Sequence, residues 1–336
     1  MKYISYSFLL LVALALVLGL VFSRSENLDL VSGTKTLALG FIKRDLRPVG
    51  KRLEDQPSVI RNRVSWQGSI ENLSLDEASG LARSQVSDSL IFAINDSGNK
   101  PQVFGLNLDG QHLGSWHVDY KKHHDFEDLS SFTYKGENYL LIADTGDNLN
   151  WRNSLSLLWV MEPKLESLDK KLTVQKTHTF SFVGGYRDIE SVAVDENSMV
   201  AYLVSKKRIP PEVFKVDLRE TSHQLLESVG LVHGIPAPTA RDLFQSERFG
   251  MYSSSPTSMD MVSDKAVILT YKEIYLFDKK VGQTWVSALS QLPKKIPLPQ
   301  LYGLEAITFA QAPGKVLITG ERENGVQSSE IFEISF

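Results

Sequence analysis

The chain contains no cysteine. That absence excludes disulfides, thiolate nucleophiles, Cys-ligated zinc and a lipid-modified N-terminal cysteine together, and it suits an exported protein. A basic excess is also missing. With 36 Lys and Arg against 40 Asp and Glu, the formal net charge is -4, so the electrostatic footprint that nucleic acid requires is not there. The chain has no G-x-S-x-G elbow, no H-E-x-x-H pair and no P-loop. Ser-based hydrolysis, zincin chemistry and P-loop phosphate binding therefore have no motif behind them.

What is present is enough apolar residue for a large core: 42% of 336 residues are hydrophobic and 23% charged, which places the chain among folded proteins. Residues 3–22, YISYSFLLLVALALVLGLVF, form an apolar run without a charge. Its length is close to the ~20 residues that a helix needs to cross the hydrocarbon core. The expectation is a signal anchor or signal peptide over residues 1–23, holding the protein to the inner membrane or releasing it by cleavage near Ser23. Either way the remainder stands on the periplasmic side or is secreted. Residues 24–63 have no clean period and carry many basic side chains from Lys43 to Arg63. They read as a membrane-proximal linker, with attraction to anionic head groups as the sharper alternative.

From residue 64 onward, short runs rich in Val, Ile, Leu, Phe and Tyr alternate with Gly, Asp, Asn and Pro turns, an all-β signature. A repeat is visible in EASGL from Glu77, EDLSS from Glu127, ESVAV from Glu190, TSMDM from Thr257 and EAITF from Glu305. The starts lie roughly 50 to 65 residues apart, which fits one four-stranded blade per repeat. Each is followed by a second strand (SLIFAIND, NYLLIADT, MVAYLVSK, KAVILTYK, GKVLITGE) and then a third. The chain ends straight after the third strand of the last repeat, and WQGSIE stands unclaimed before the first. The expectation is a five-bladed β-propeller over residues 64–336, closed by WQGSIE entering the last blade. Six blades are the alternative, because residues 234–255 are long enough for an irregular insertion.

In a blade the start of the first strand and the end of the second share a face. That places Glu77, Glu127, Glu190 and Glu305 around one mouth of the axis, with Asp96 and Asp144 ending second strands beside them and Asp125, Asp128, Asp147, Asp188 and Arg187 on the same rim. Carboxylates converging on an axis need a compensating charge. Oxygen ligands in that number suit Ca²⁺ or another divalent cation. The competing reading is that the Glu side chains bond the backbone N–H groups of neighbouring blades and hold the ring together. Lys206, Lys207, Arg208, Lys272 and Arg322 follow the later second strands, so the mouth reads as acidic on one side and basic on the other. A small anionic ligand suits such a mouth. His123-His124-Asp125 offers a base or ligand, or is a plain loop pair. Trp151-Arg152 offers a stacking wall, or Trp151 packs between blades. FAINDSGNK and LIADTGDN share D-[ST]-G-[DN], read as the turn between second and third strands, with Gly98 and Gly146 supplying positive φ.

The ordered series EASGLA/INDSGN, FEDLSS/IADTGDN with a nearby Arg, DIESVAV/LVSK, PTSMDM and GLEAIT resembles a family of exported bacterial β-propeller proteins, over residues 77–336. More distantly it is similar to SdiA-regulated and phytase-like esterase propellers, to gluconolactonase-type propellers with an axial divalent cation, and to calcium-activated apyrases. The apyrase resemblance implies Glu127 and Ser130 as calcium ligands. The expected metal set is then Glu77, Glu127, Ser130, Glu190 and Glu305, and the expected ligand contacts are Asp96, Asp144, Asp147, Arg152, Arg187, Lys206, Lys272 and Arg322. Two functions fit: a propeller binding a small anionic ligand or envelope partner at its mouth, with a divalent cation, or a Ca-dependent hydrolase of a small phosphate or carboxylate ester.

Overall fold

The computed structural model divides the chain into two units, Met1–Leu46 and Arg47–Phe336. It describes residues 47–49, 55–122, 124–167, 170–245, 250–299, 301, 303–322 and 329–336. The apolar run 3–22 and the cleavage position near Ser23 lie outside the described residues. No helix among the described residues is long and apolar enough to cross a membrane.

The second unit is a five-bladed β-propeller. The first blade runs from its inner strand Ala78–Arg83 through Leu90–Asn95 and Gln102–Asn107 to His112–Val118. The second takes Phe126–Tyr134, Glu137–Asp144, Leu155–Met161 and Val174–Phe182. The third takes Ile189–Asp195, Val200–Ser205, Glu212–Asp217 and the two-residue Gly230–Leu231. The fourth takes Pro256–Val262, Lys265–Thr270, Glu273–Asp278 and Lys294–Pro297. The fifth takes Leu304–Phe309, Lys315–Gly320, Glu330–Ser335 and, from the other end of the chain, Arg63–Ser69. Trp66 stands opposite Phe332, and Val64 opposite Ile334. WQGSIE thus closes the ring as its position in the sequence implies, and the inner strand of the fifth blade packs against that of the first. Among the described residues no sixth blade forms: the long stretch before the fourth blade holds the short helix Ala240–Gln245.

Burial explains the two kinds of strand in the sequence. Second strands such as LIFAIN and VAYLVS are covered on both faces and are apolar almost throughout, whereas the outer strand HLGSWHV alternates buried and exposed. The core is five wedges, one between each pair of neighbouring blades, filled for instance by Phe92 and Trp116 with Leu158, or by Phe180 with Phe214. Short strands cap three outer edges: Lys171–Leu172 on the first blade, Gln224–Leu226 on the second and Ser58–Val59 on the fourth. Such caps blunt edges that would otherwise pair with other chains. Ser58–Val59 and Arg47–Pro48, which pairs with Arg208–Ile209, belong to the segment read as a linker, and both hydrogen-bond to the propeller.

All five inner strands carry a register shift at one equivalent place, at Ser79, Glu127, Glu190, Thr257 and Glu305. A bulge frees a backbone carbonyl, and hydroxyls satisfy it. Ser79 Oγ donates to Phe126 O (2.9 Å), Thr145 Oγ1 to Ile189 O (2.7 Å) and Thr257 Oγ1 to Leu304 O (3.0 Å). Each bond crosses from one blade to the next.

Just inside the bulges lies Asp128, which is no rim residue. It is wholly buried, and its carboxylate accepts from Val192 N (2.7 Å), Ser258 Oγ (2.8 Å), Met259 N (3.0 Å) and Leu129 N (3.0 Å), joining the inner strands of three blades. Asp260 repeats the device toward the fifth blade, accepting from Phe309 N (2.8 Å) and Thr308 Oγ1 (3.0 Å). The ring is therefore held by inner-strand Asp, Ser and Thr rather than by the Glu residues. Gly80 lets the first two inner strands approach: a Cβ there would stand 2.6 Å from Leu129 N and 2.8 Å from the Asp128 carbonyl carbon.

Asp128→Ala leaves the N–H groups of Val192 and Met259 buried without acceptors, each costing about 1–3 kcal/mol. Urea unfolding of the variant is expected to show a loss of roughly 3 kcal/mol or more. A loss below ~1 kcal/mol would show that the ring does not depend on this carboxylate.

Candidate metal centre

The bulges set the mouth. Two residues crowd where one would pair, and the extra side chain is re-aimed. In the second, third and fifth blades that residue is Glu127, Glu190 or Glu305, and all three are buried. The residue before the strand adds Asp125 and Asp188. The residue after each second strand adds Asp96, Lys206, Tyr271 and Glu321 from four blades, with Thr145 in the fifth position of that set.

Strand register corrects two sequence alignments. Ala78 pairs with Asn95 and Phe126 with Asp144, so Asp144 is the counterpart of Asn95 rather than of Asp96. Both side chains do the same work: Asn95 Oδ1 accepts from Glu77 N (3.2 Å) and Asp144 Oδ1 from Asp125 N (3.0 Å). Glu77 is thus the counterpart of Asp125, and Ser79 stands where the second, third and fifth blades place Glu and the fourth places Thr257. Glu77 is exposed, and its carboxylate accepts from Asn99 Nδ2 (2.8 Å). Gly98 has φ +82°, whereas Gly146 is needed for close approach: a Cβ there would collide with the Glu127 and Asp125 carboxylates.

Three groups of carboxylate oxygens converge within 4.8 Å: Glu127, Asp188 and Glu190; Asp96, Asp125 and Glu127; and Asp96, Glu305 and Glu321. Glu127 is 4% exposed, and its Oε1 has no hydrogen-bond donor. Burial, followed by repulsion from Glu190, Asp96, Asp125 and Asp188, pushes its carboxyl well above the usual range. Burial and the facing Asp96 raise Asp125 to about 8. Burial likewise raises Glu305 to about 8, and Tyr271 Oη donates to it at 2.5 Å. Burial also raises Glu190, against the pull of Lys206, which bonds it and lies 3.1 Å from Tyr271 Oη. The carboxylates around Lys206, Glu190 first, more than offset its burial and keep it charged. Lys207 Nζ meets Asp188 Oδ2 at 3.0 Å. An all-oxygen set with an orphaned buried carboxylate oxygen fits a hard divalent cation.

The other expected contacts are used within the fold. Arg152 is bound to the turn it follows, through Asp144 Oδ1 (2.9 Å) and Gly146 O (2.7 Å), and Asp147 Oδ1 accepts from Trp151 N (2.8 Å). Arg187 pairs with Glu212 at 2.5 Å, Lys272 with Asp242 at 2.7 Å, and Arg322 donates to Leu73 O at 2.8 Å. The expected basic wall is therefore spent on internal pairs. Ser130 Oγ accepts from Val194 N (3.3 Å), inside the ring. Trp151 is 69% exposed and packs between no blades. His124 is exposed, and His123 lies outside the described residues. Sequence reading missed Glu321 and Tyr271, although each occupies the place after a second strand that drew attention to Asp96 and Lys206.

No family model matches the chain, and no curated sequence does. Solved structures similar to it include U3-55K, at 10% identity and TM-score 0.42 over 83% of this chain and 100% of that one. The PQQ-bound aldose sugar dehydrogenase of Streptomyces coelicolor matches at 9% and 0.42, over 83% and 99%. A luciferin-regenerating enzyme matches at 9% and 0.42, over 82% and 96%. Likeness of this size assigns no activity.

The raised carboxyls give a pH test. Folded Asp125 and Glu305 hold protons up to about 8, against ordinary values of 3.8 and 4.5. The folded state therefore binds more protons than the unfolded state between those limits, and stability falls as pH rises across them. Thermal midpoints in chelator are expected to fall from pH 5 to pH 8.5, and calcium is expected to flatten the slope. A chelator-treated protein whose midpoint rises over that range would contradict this.

Proposed function

We propose that the propeller binds a divalent cation, calcium before others, at its axial mouth, and through that cation holds a small anionic ligand or an envelope partner. The observation that carries this reading is Glu127 Oε1, buried without a donor between Asp96 and Asp125 on one side and Asp188 and Glu190 on the other. A buried charge without a partner is costly, and either a proton or a cation relieves it. Calcium suits the site because its donors are oxygens alone. Since Arg152, Arg187, Lys206 and Lys272 are paired internally, an anion gains its positive partner from the cation. Export, through residues 3–22 as an anchor to the inner membrane or by cleavage near Ser23, rests on the sequence.

A second reading, calcium-dependent hydrolysis of a small phosphate or carboxylate ester, draws on Tyr271, whose hydroxyl bonds Glu305 (2.5 Å) beside Lys206 (3.1 Å). A cation there would polarise the ester oxygen. Tyr271 and Lys206 would place a proton and a positive charge next to it.

Calcium chloride is expected to raise the thermal midpoint of the chelator-treated protein, with magnesium chloride weaker. Glu127→Gln is expected to keep or raise the midpoint in chelator, because repulsion falls, and to abolish the calcium shift. An unshifted wild-type midpoint, with no metal by elemental analysis, sinks the reading. Release of phosphate from nucleotide or phytate substrates that requires calcium and is lost in Tyr271→Phe would favour the hydrolase over the binding protein.

A further inference from the structure

We propose that the mouth holds two cations rather than one, with Glu127 as their shared ligand. The inference rests on the cation reading of this mouth and concerns its stoichiometry. Two oxygens on one calcium ion stand at most about 5 Å apart, twice the ~2.3–2.6 Å calcium–oxygen distance. The mouth carboxylates do not form one such set: Glu127 groups with Asp188 and Glu190, and separately with Asp96 and Asp125, no group holds both Glu190 and Asp96, and in the third group, Asp96 with Glu305 and Glu321, Glu305 already accepts from Tyr271 Oη. No single ion reaches all five.

Charge points the same way. Lys206 bonds Glu190 and Lys207 bonds Asp188, so the first position already carries two ammonium groups at its edge. Among the described residues, Asp96, Asp125 and Glu127 have no ammonium or guanidinium in contact. Oxygens of Asp96, Asp125 and Glu127 all lie within 4.8 Å of one another, a spacing that one cation would span. Among the described residues, Glu127 Oε1, which both positions share, and Asp125 Oδ1 of the second are buried without a donor, whereas Asp188 Oδ2 of the first, also without a hydrogen bond, has the Lys207 ammonium 3.0 Å away. Gly146 matters here for a physical reason. Without a side chain, its backbone lets the Asp125 and Glu127 carboxylates come together where any Cβ would part them.

The two positions differ in kind. The one at Glu127, Asp188 and Glu190 is buried on all three ligands, and the one at Asp96, Asp125 and Glu127 is half-open through Asp96 and Asp125. An incoming anion would therefore meet the second ion first.

Equilibrium dialysis of the full chain, in mild detergent with calcium chloride at fixed ionic strength, tests the proposal. The expected result is two ions per wild-type chain and one for Asp125→Asn, with folding checked by circular dichroism. Glu127→Gln is expected to weaken both by tenfold or more. Should Asp125→Asn fail to fold, Asp96→Asn, on a half-exposed turn, is expected to bind one ion as well. One ion per wild-type chain, or two in a folded Asp125→Asn or Asp96→Asn chain, overturns the two-ion arrangement and leaves a cation at the mouth. No bound calcium at all overturns the cation reading itself.

Discussion

The bulge at the start of each inner strand is the constraint on which the rest of the propeller depends. With five blades the inner strands stand close around the axis, and the bulge resolves the crowding by giving neighbouring residues opposite tasks. In the second blade Glu127 faces the mouth, and Asp128, the next residue, turns into the ring to bind three blades. One local distortion thus supplies both a carboxylate that joins three blades and a buried carboxylate at the mouth with an oxygen that lacks a donor. Hydroxyls at Ser79, Thr145 and Thr257 satisfy the carbonyls that the bulges free.

The two buried carboxylates are treated oppositely. Asp128 has four donors for its two oxygens, which offset part of its burial and give it a cohesive role. Glu127 lies one residue away with an oxygen that has none. Burial of like charges without compensation is costly, and sites that break the rules followed elsewhere in a fold tend to be functional ones. Lys206 and Lys207 pair with Glu190 and Asp188 on one side, and Asp96, Asp125 and Glu127 on the other have no basic partner among the described residues.

Much of the architecture was legible in the sequence because it rests on patterns with a long range. Runs such as LIFAIN and KAVILT mark strands covered on both faces, the repeat marks the blades, and the unclaimed WQGSIE marks the closure. The site was legible only in part. Glu127, Glu190, Asp96 and Glu305 do come close together, with Lys206 on Glu190, whereas Glu77 stands two positions and Asp144 one position away from the places that the sequence pattern suggests. The apparent match of INDSG to IADTG hid this, because a one-residue offset in a strand turns a side chain to the opposite face. The five basic residues looked like a wall because sequence shows charges without their partners.

By itself, the sequence determined the class of strand at each place, the number of repeats and the means of closing the ring. Those features follow from hydrophobic periodicity, which is a property of neighbouring residues. Only the tertiary structure decided which carboxylates meet, which are satisfied and which are left without a donor. That outcome turns on bulges of a single residue and on contacts such as Asp128 with Ser258, formed between positions far apart in the chain. No local pattern specifies them, since the same Asp or Glu reads alike whether it faces four donors or none.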